Sequence, residues 1–235
     1  MAWKRLQWAR MPSGWITRDG ELRRFAEAEI GTAVAALKLL LAILSELRDD
    51  PEVGGPRAYL SYSQLQEITG LSRSSVSSGL QFLRGRVKVE HGEGRAHAYS
   101  IVGYPKRKEG GWAMLPTAHL RRSGVLRRLS ARSEADRSAL VVYFLLAAFR
   151  DVKIGATTLS YDKIQEYLGL SREQISQTIS HLAELGMVRV RSGRDRTDPS
   201  IWGPNHYYLI GLDERGRNEV GGSDSTEKNG LDRAS

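Results

Sequence analysis

Two short segments of this chain carry side chains suited to hydrogen bonding with a planar or anionic ligand. They read RSSVSSGLQ from Arg73 and REQISQTIS from Arg172. Arg presents a rigid fork of five donors, Gln offers both a donor and an acceptor, and Ser offers a hydroxyl group. The 235-residue chain contains no Cys, which excludes disulfides, thiol nucleophiles and thiolate zinc sites. These residue types favour a binding surface over a reaction centre.

Sequence motifs of catalysis are missing as well. The five His residues show no HExxH spacing, and the chain has no GxxxxGK[ST] loop. His206-Tyr207-Tyr208 has only a superficial likeness to a nickase motif, since it matches His97-Ala98-Tyr99 as part of a repeated strand. We therefore predict that the protein is not an enzyme and uses neither a metal nor a cofactor.

Positive charge dominates the composition. The formal net charge is +8, which points to a polyanionic partner or an anionic surface. The most apolar runs, Ala33–Leu44 and Ala139–Phe149, are shorter than the ~20 residues that cross a bilayer. The N-terminus has no apolar region typical of a signal peptide. We expect a cytoplasmic protein without a membrane partner.

An internal repeat sets the predicted domain organisation. Leu60–Leu83 and Leu159–Leu182 are identical at 11 of 24 positions, at a constant offset of 99. The repeat extends upstream, where Trp8 matches Trp112 and Leu22-Arg23-Arg24 matches Leu126-Arg127-Arg128, and downstream, where His97 matches His206. We predict two units, residues 1–103 and 104–212, with a linker near 105–111. Residues 213–235 are acidic and almost without apolar side chains, which predicts a disordered tail.

Each unit shows the same order of predicted elements. A long helix comes first, with Thr32 as its cap in the first unit and a span of about 138–152 in the second. A short strand and two short helices follow, with Ser caps and a Gly turn between the helices. The capping residues are Ser61, Ser72, Ser160 and Ser171, and the turns are at Gly70 and Gly169. Two strands end each unit, near 87–90 and 98–102, then near 187–191 and 206–212. The predicted fold class is α+β, mainly α.

This order, with the segments GLSRSSVSSGLQFL and GLSREQISQTISHLAELGMVRV, resembles the winged helix-turn-helix of bacterial regulators. Two such units in one chain, each led by a long helix, are similar in architecture to plasmid replication initiators. The resemblance implies two tandem winged helix-turn-helix domains that arose by internal duplication. It also implies sequence-specific binding of double-stranded DNA, in replication initiation or maintenance of a plasmid or mobile element.

The resemblance assigns roles to the two polar segments and to the hairpins. A recognition helix lies in the major groove, where Arg can bind guanine through two hydrogen bonds and Gln can pair with adenine. The base-reading candidates are Arg73, Ser74, Ser77, Ser78, Gln81, Arg172, Glu173, Gln174, Ser176, Gln177 and His181. Wing cations contact phosphates, which adds affinity without sequence information. The phosphate candidates are Arg84, Arg86, Lys88, Arg95, Arg189, Arg191, Arg194 and Arg196.

Several alternatives stay open. A transcriptional repressor would use the same surface, and a structured-RNA binder would prefer hairpin RNA. A winged-helix scaffold for protein assemblies would salt-bridge or bury Arg73 and Arg172. A second copy of the chain and the replication or transcription machinery are further predicted partners. The second unit carries a net charge of +7 and the first +3, so we expect the second to dominate DNA affinity. The Leu-Arg-Arg segments either add contacts or flank a helix, and Trp8 and Trp112 are expected to hold each leading segment on its own first helix.

Overall fold

The computed structural model describes residues 7–50, 55–91, 95–104, 111–193 and 203–212. The first repeat contains β1 (Ala9–Pro12), α1 (Gly14–Thr17), α2 (Leu22–Glu27), α3 (Ile30–Glu46), β2 (Arg48–Asp50), β3 (Gly55–Ser61), α4 (Tyr62–Thr69), α5 (Arg73–Phe82), β4 (Val87–His91) and β5 (Ala96–Ile101). The second contains β6 (Trp112–Leu115), α6 (Thr117–Ser123), α7 (Val125–Arg128), α8 (Glu134–Ala148), β7 (Thr157–Thr158), α9 (Tyr161–Leu168), α10 (Arg172–Glu184), β8 (Val188–Arg191) and β9 (His206–Leu209). The predicted α+β class is confirmed. The predicted tail and most of the predicted linker lie outside the described residues.

Short-range signals determine the paired helices α4–α5 and α9–α10. The Ser61 side chain accepts a hydrogen bond from the backbone N–H of Gln64, whose own side chain accepts the N–H of Ser61. Gly70 ends α4 with a φ of 70°, a left-handed conformation that glycine adopts without steric cost, and Ser72 then caps α5. The equivalent caps and turn of the second repeat are Ser160, Gly169 and Ser171. All of these predictions are confirmed.

The long helices begin earlier than predicted. Glu29 rather than Thr32 caps α3, since its carboxylate accepts hydrogen bonds from the N–H groups of Gly31 and Thr32 at 2.8 and 2.7 Å. These bonds lower the pKa of Glu29. Helix α8 begins at Glu134 after a Ser133 cap, so the predicted span of 138–152 is wrong by about one turn. A carboxylate serves two orphan amides at once, which outweighs the usual preference for Thr at this position.

Both long helices are buried on every side. All residues of α3 from Ala33 to Glu46 and of α8 from Ala139 to Ala147 are buried. A surface helix buries only one stripe, so these two helices must have neighbours all round. No helix in the described part of the chain combines the length and the apolar composition that crossing a bilayer requires.

Each repeat is completed by the leading helices of the other. Helices α1 and α2 contact α8, and α2 also contacts α9. In the opposite direction, α6 contacts α3 and α7 contacts α4. The long helices α3 and α8 contact each other directly, and one apolar cluster contains buried residues from both repeats. The two predicted units therefore share a single core.

A short sheet between the repeats has a symmetric register. Strand β1 pairs antiparallel with β6, so that Ala9 lies opposite Leu115 and Met11 lies opposite Ala113. The repeat offset of 104 that relates Trp8 to Trp112 makes these two pairs equivalent to each other. Exchanging the repeats therefore leaves this sheet unchanged, which is the property of a local two-fold axis.

The two leading tryptophans lie at this sheet. The rings of Trp8 and Trp112 stack with their centroids 6.1 Å apart and their planes inclined by 13°. The Arg10 guanidinium lies over both rings, 5.5 and 5.1 Å from the centroids. We expected each tryptophan to hold its leading segment on its own first helix. The prediction did not include the stacking of Trp8 on Trp112, which joins the two leading segments to each other.

The remaining strands form a small antiparallel sheet in each repeat. Their orders are β2-β3-β5-β4 and β7-β9-β8, which confirms the predicted pairs of terminal strands. Tyr99 and Tyr207 pair with equivalent residues of β3 and β7, so the match of His97 with His206 is wrong by one residue. A shift of one residue exchanges the two faces of a strand. The correct match places both Tyr99 and Tyr207 in the core, where burial raises the pKa of each to about 12.

Lys38 is the one cation of α3, and it lies in the shared core. Lys38 is only 1% exposed. Its ammonium group donates a hydrogen bond of 2.5 Å to the backbone carbonyl of Leu129, which belongs to the other repeat. Burial lowers the pKa of Lys38 to about 8, while the nearby Asp136 carboxylate raises it. The contact satisfies a carbonyl that follows α7 and joins the two repeats.

The close approach of α5 to α3 generates a first prediction. A Cβ on Gly79 would lie 2.6 Å from Leu39 Cδ1 and 3.0 Å from the carbonyl carbon of Ala35. We expect Gly79→Val to lower the free energy of unfolding by about 1–3 kcal/mol, because the backbone of α3 cannot yield cheaply. The control is Gly55→Val, since a Cβ there meets nothing within 4 Å. Equal stability of the two variants in urea would contradict the close approach.

The buried ammonium of Lys38 generates a second prediction. The folded state binds fewer protons than the unfolded state between pH ~8 and pH ~10.5, so stability should rise with pH across that window, by at most about 1.4 kcal/mol per pH unit. Lys38→Met should remove this rise. Urea unfolding at pH 7.5, 8.5 and 9.5 measures it, below the range in which the buried tyrosines titrate. An identical pH dependence in both proteins would show that Lys38 is not the titrating group.

Candidate nucleic-acid interface

The polar faces of α5 and α10 are open to solvent. The exposed candidates on the two helices are Arg73, Ser74, Ser77, Ser78, Gln81, Arg172, Glu173, Gln174, Ser176 and Gln177. The opposite faces, which include Val76 on α5 and Ile175 on α10, are buried against α3 and α8. Each helix therefore presents a polar face that starts with an Arg at its first residue.

In the first repeat, Arg73 begins a series of ring contacts that reaches the hairpin. Its guanidinium lies 5.2 Å from the Tyr62 ring centroid, and Tyr62 meets His97 edge to face at 5.9 Å. His97 faces His91 across β4 and β5 with their Nδ1 atoms 3.2 Å apart. Such a hydrogen bond needs one acceptor nitrogen, so at least one of these imidazoles is neutral in this arrangement. The start of α5 and the β4–β5 hairpin thus form one continuous surface.

In the second repeat, Arg172 is paired with a carboxylate. Its Nη1 forms an ion pair with Asp162 on α9, and the two side chains are 66% and 74% exposed. A pair so exposed contributes only roughly 0–1 kcal/mol, because water competes for both charges. The equivalent of Asp162 in the first repeat is Ser63. The two arginines therefore occupy equivalent positions but have different neighbours.

Two polar side chains of α10 also have partners within the helix. The Gln174 side chain accepts the N–H of Ser171 at 2.8 Å in a capping box. The Gln177 amide donates to Glu173 at 3.3 Å. Both contacts are exposed, so a ligand with better geometry can replace them.

His181 lies apart from the other base-reading candidates. Its Nε2 is 2.6 Å from Oδ1 of the buried Asp136, whose other oxygen accepts the N–H of Ser130 at 2.8 Å. The imidazole is only 29% exposed. It joins α10 to the first turn of α8 rather than facing outward with Arg172.

The hairpin cations fall into three groups. The exposed ones are Arg84, Lys88, Arg95, Arg189 and Arg191. Arg86 turns inward, where it forms an ion pair with Glu21 and lies 5.4 Å from the Trp15 ring centroid. Arg194 and Arg196 lie outside the described residues. Arg86 is thus removed from the phosphate candidates, since its charge is used to hold the strand to α1 and α2.

Three of the exposed cations, Lys88, Arg189 and Arg191, lie on edge strands. Strands β4 and β8 are each the last in their sheets. The Lys88 ammonium lies 2.7 Å from Glu90, and this hydrogen bond lowers the pKa of Glu90. The Arg189 guanidinium lies 5.0 Å from the Tyr208 centroid. Charges on such an edge also discourage pairing with another chain.

The Leu-Arg-Arg segments lie beside the helix turns of the opposite repeat. A Cβ on Gly70 would be 3.5 Å from the Arg127 carbonyl oxygen, and a Cβ on Gly169 would be 3.5 Å from Arg23 Nη2. Arg127 and Arg23 are both exposed, and Arg23 also pairs with Glu27 at 2.7 Å. The repetition of the Leu-Arg-Arg sequence had drawn attention to these residues as possible contacts. The position of each segment beside the helix turn of the opposite repeat could not be predicted, because only the tertiary structure determines which repeat a segment packs against.

The described residues contain no group of three or more His, Asp or Glu side chains that could hold a metal ion. Comparisons of the chain with protein-family models, with curated proteins and with solved structures found no match. Function is therefore inferred from the geometry of the chain itself.

Proposed function

We propose that this chain binds double-stranded DNA as two tandem winged helix-turn-helix units and catalyses no reaction. In this proposal α5 and α10 are the recognition helices, and the hairpins β4–β5 and β8–β9 are the wings. One observation carries the proposal: the equivalent polar faces of α5 and α10 are exposed, and each starts with an Arg. In helix-turn-helix proteins, residues near the start of the recognition helix contact base edges in the major groove.

A series of helix contacts links the two proposed recognition helices. Helix α5 packs on α3, α3 packs on α8, and α8 packs on α10. Three helix contacts at about 8–10 Å each limit the separation of the α5 and α10 axes to roughly 30 Å or less where they cross this series. One turn of DNA rises about 34 Å, a length of the same order, and we propose that the two helices enter neighbouring major grooves of one duplex.

Charge also supports a nucleic-acid ligand. The chain carries a formal net charge of +8, and both hairpins expose cations at their edge strands. These cations suit phosphate contacts, which position a protein on the duplex and supply much of its affinity. Arg127 and Arg23, beside the helix turns, extend the basic surface toward the start of each recognition helix.

An interaction scaffold is the alternative with an observation in its favour. That function predicts salt-bridged arginines, and Arg172 does pair with Asp162. The pair is within one chain and largely exposed, so a phosphate or base can displace it at little cost. Arg73 rests on Tyr62 instead.

The process that the binding serves is proposed from the resemblance alone. Replication initiation or maintenance of a plasmid or mobile element is the first candidate, and transcriptional repression is the second. Selection of bound fragments from the source genome distinguishes them. An array of sites beside a replication origin would favour the first process, and sites that overlap promoters would favour the second.

Salt dependence and Arg73→Ala test the proposed DNA binding. With about 6–10 phosphates contacted, affinity for mixed duplex should fall by a factor of about 10³–10⁵ between roughly 50 and 200 mM salt, measured by fluorescence anisotropy. On a selected preferred site, Arg73→Ala should cost about 1–3 kcal/mol and relax the sequence preference. Arg132→Ala is the control, because Arg132 is exposed in the turn before α8 and belongs to neither proposed recognition helix nor wing.

Three results would count against this reading. No binding to any duplex at low salt would contradict DNA binding and favour the scaffold. Tighter binding to hairpin RNA than to duplex DNA would favour an RNA ligand. If Arg73→Ala lowered the affinity for all DNA sequences equally, Arg73 would contact a phosphate rather than a base.

Asp162→Ser tests whether Arg172 is used. This change copies Ser63 of the first repeat and removes a carboxylate beside the proposed recognition helix. We expect DNA affinity to increase by up to about fivefold, which corresponds to an exposed pair of at most about 1 kcal/mol. Asp19→Ser, an equal change of charge at an exposed turn, is the matched control. Weaker binding by Asp162→Ser with unchanged stability would show that Asp162 itself helps to hold the DNA.

A further inference from the structure

We propose that the DNA site of this chain is an imperfect inverted repeat, bound by a single copy of the protein. This inference rests on the proposed function and specifies its ligand. It follows from the contacts between the repeats, which show how α5 and α10 are related in space.

The contacts between the repeats occur in exchanged pairs. Gly70 lies beside Arg127, and the equivalent Gly169 lies beside Arg23. Helix α7 contacts α4, while its equivalent α2 contacts α9, and α6 contacts α3, while its equivalent α1 contacts α8. When residue i of one copy contacts residue j of the other and the reverse contact is also present, the two copies are related by a two-fold axis.

The contacts on the axis itself agree with this relation. Strand β1 pairs with its equivalent β6, α3 contacts its equivalent α8, and Trp8 stacks on its equivalent Trp112. A head-to-tail arrangement would instead join two different surfaces at each boundary. The exchanged leading helices also connect the two units through direct contacts, which add to those of the short sheet between the repeats.

Two recognition helices related by a two-fold axis match two half-sites that are related in the same way. The two strands of duplex DNA are antiparallel, so half-sites read by two-fold-related helices run in opposite directions along the duplex, as they do for dimeric helix-turn-helix proteins. Here both helices belong to one chain. A direct repeat would need helices related by translation, which the exchanged contacts exclude.

The residues on the two helices indicate which base pairs are symmetric. Arg73 and Ser77 have identical equivalents, Arg172 and Ser176. The neighbouring exposed positions differ between the helices, with Ser74, Ser78 and Gln81 against Glu173, Gln177 and Ser180. We expect a guanine contacted by Arg at the same place in each half-site and different bases beside it. The repeat is therefore inverted but imperfect.

The test starts from duplexes selected for binding to the full chain. In one derivative the second half-site is reversed in place, so that the same bases form a direct repeat with the same centre spacing. In another, five base pairs are inserted between the half-sites. Both derivatives should bind at least about tenfold more weakly than the parent, since a mismatched base pair typically costs roughly 5- to 150-fold. Native mass spectrometry should find one chain on each parent duplex.

The variants Arg73→Ala and Arg172→Ala locate the two guanines. Each should lose discrimination at one guanine, and the two guanines should lie on opposite strands. Guanines on the same strand, equal or tighter binding of the direct repeat, or two chains on each parent duplex would overturn the inverted repeat while leaving DNA binding intact. No binding to any duplex would instead overturn the proposed function.

Discussion

The packing of α3 against α8 is the contact on which the rest of the structure depends. Each of these helices is buried around its whole circumference, and its own repeat does not cover it completely. The leading helices of the other repeat supply the missing cover, and Lys38 is enclosed at the same place with its ammonium on the carbonyl of Leu129. Because α5 packs on α3 and α10 packs on α8, the same contact sets the relation between the two exposed polar faces.

A shared core constrains which residues of the repeats can diverge. The glycines of the helix turns, which lie beside the partner repeat, are the same residue in both copies. The exposed positions of α5 and α10 have no such constraint, and Ser74 there corresponds to Glu173. The molecule therefore combines a symmetric scaffold with two surfaces of different chemistry, which suits a ligand whose two halves are related but not identical.

The sequence predicted the helices and turns of the candidate site, but not the orientation of every side chain in it. Ser72 and Gly70 act within a single turn of chain, so their roles follow from residue type and spacing. The exposure of Arg73 follows from the apolar face opposite it. Arg86 and His181 point inward because they bind Glu21 and Asp136, which are distant in sequence. The periodicity of apolar residues in a helix or strand gives no information about such partners.

The sequence by itself determined the class of fold, the repeat, the helix boundaries at the Ser caps and Gly turns, and the polar faces of the second helices, because each is a local signal of residue type and period. Only the tertiary structure decided which repeat covers which helix. The two repeats present similar apolar surfaces, so the pattern of apolar residues is satisfied equally well by packing within a repeat or between repeats. The same holds for β5 and β9, where burial of Tyr99 and Tyr207 in the folded sheet, rather than identity of neighbouring residues, sets the correct alignment.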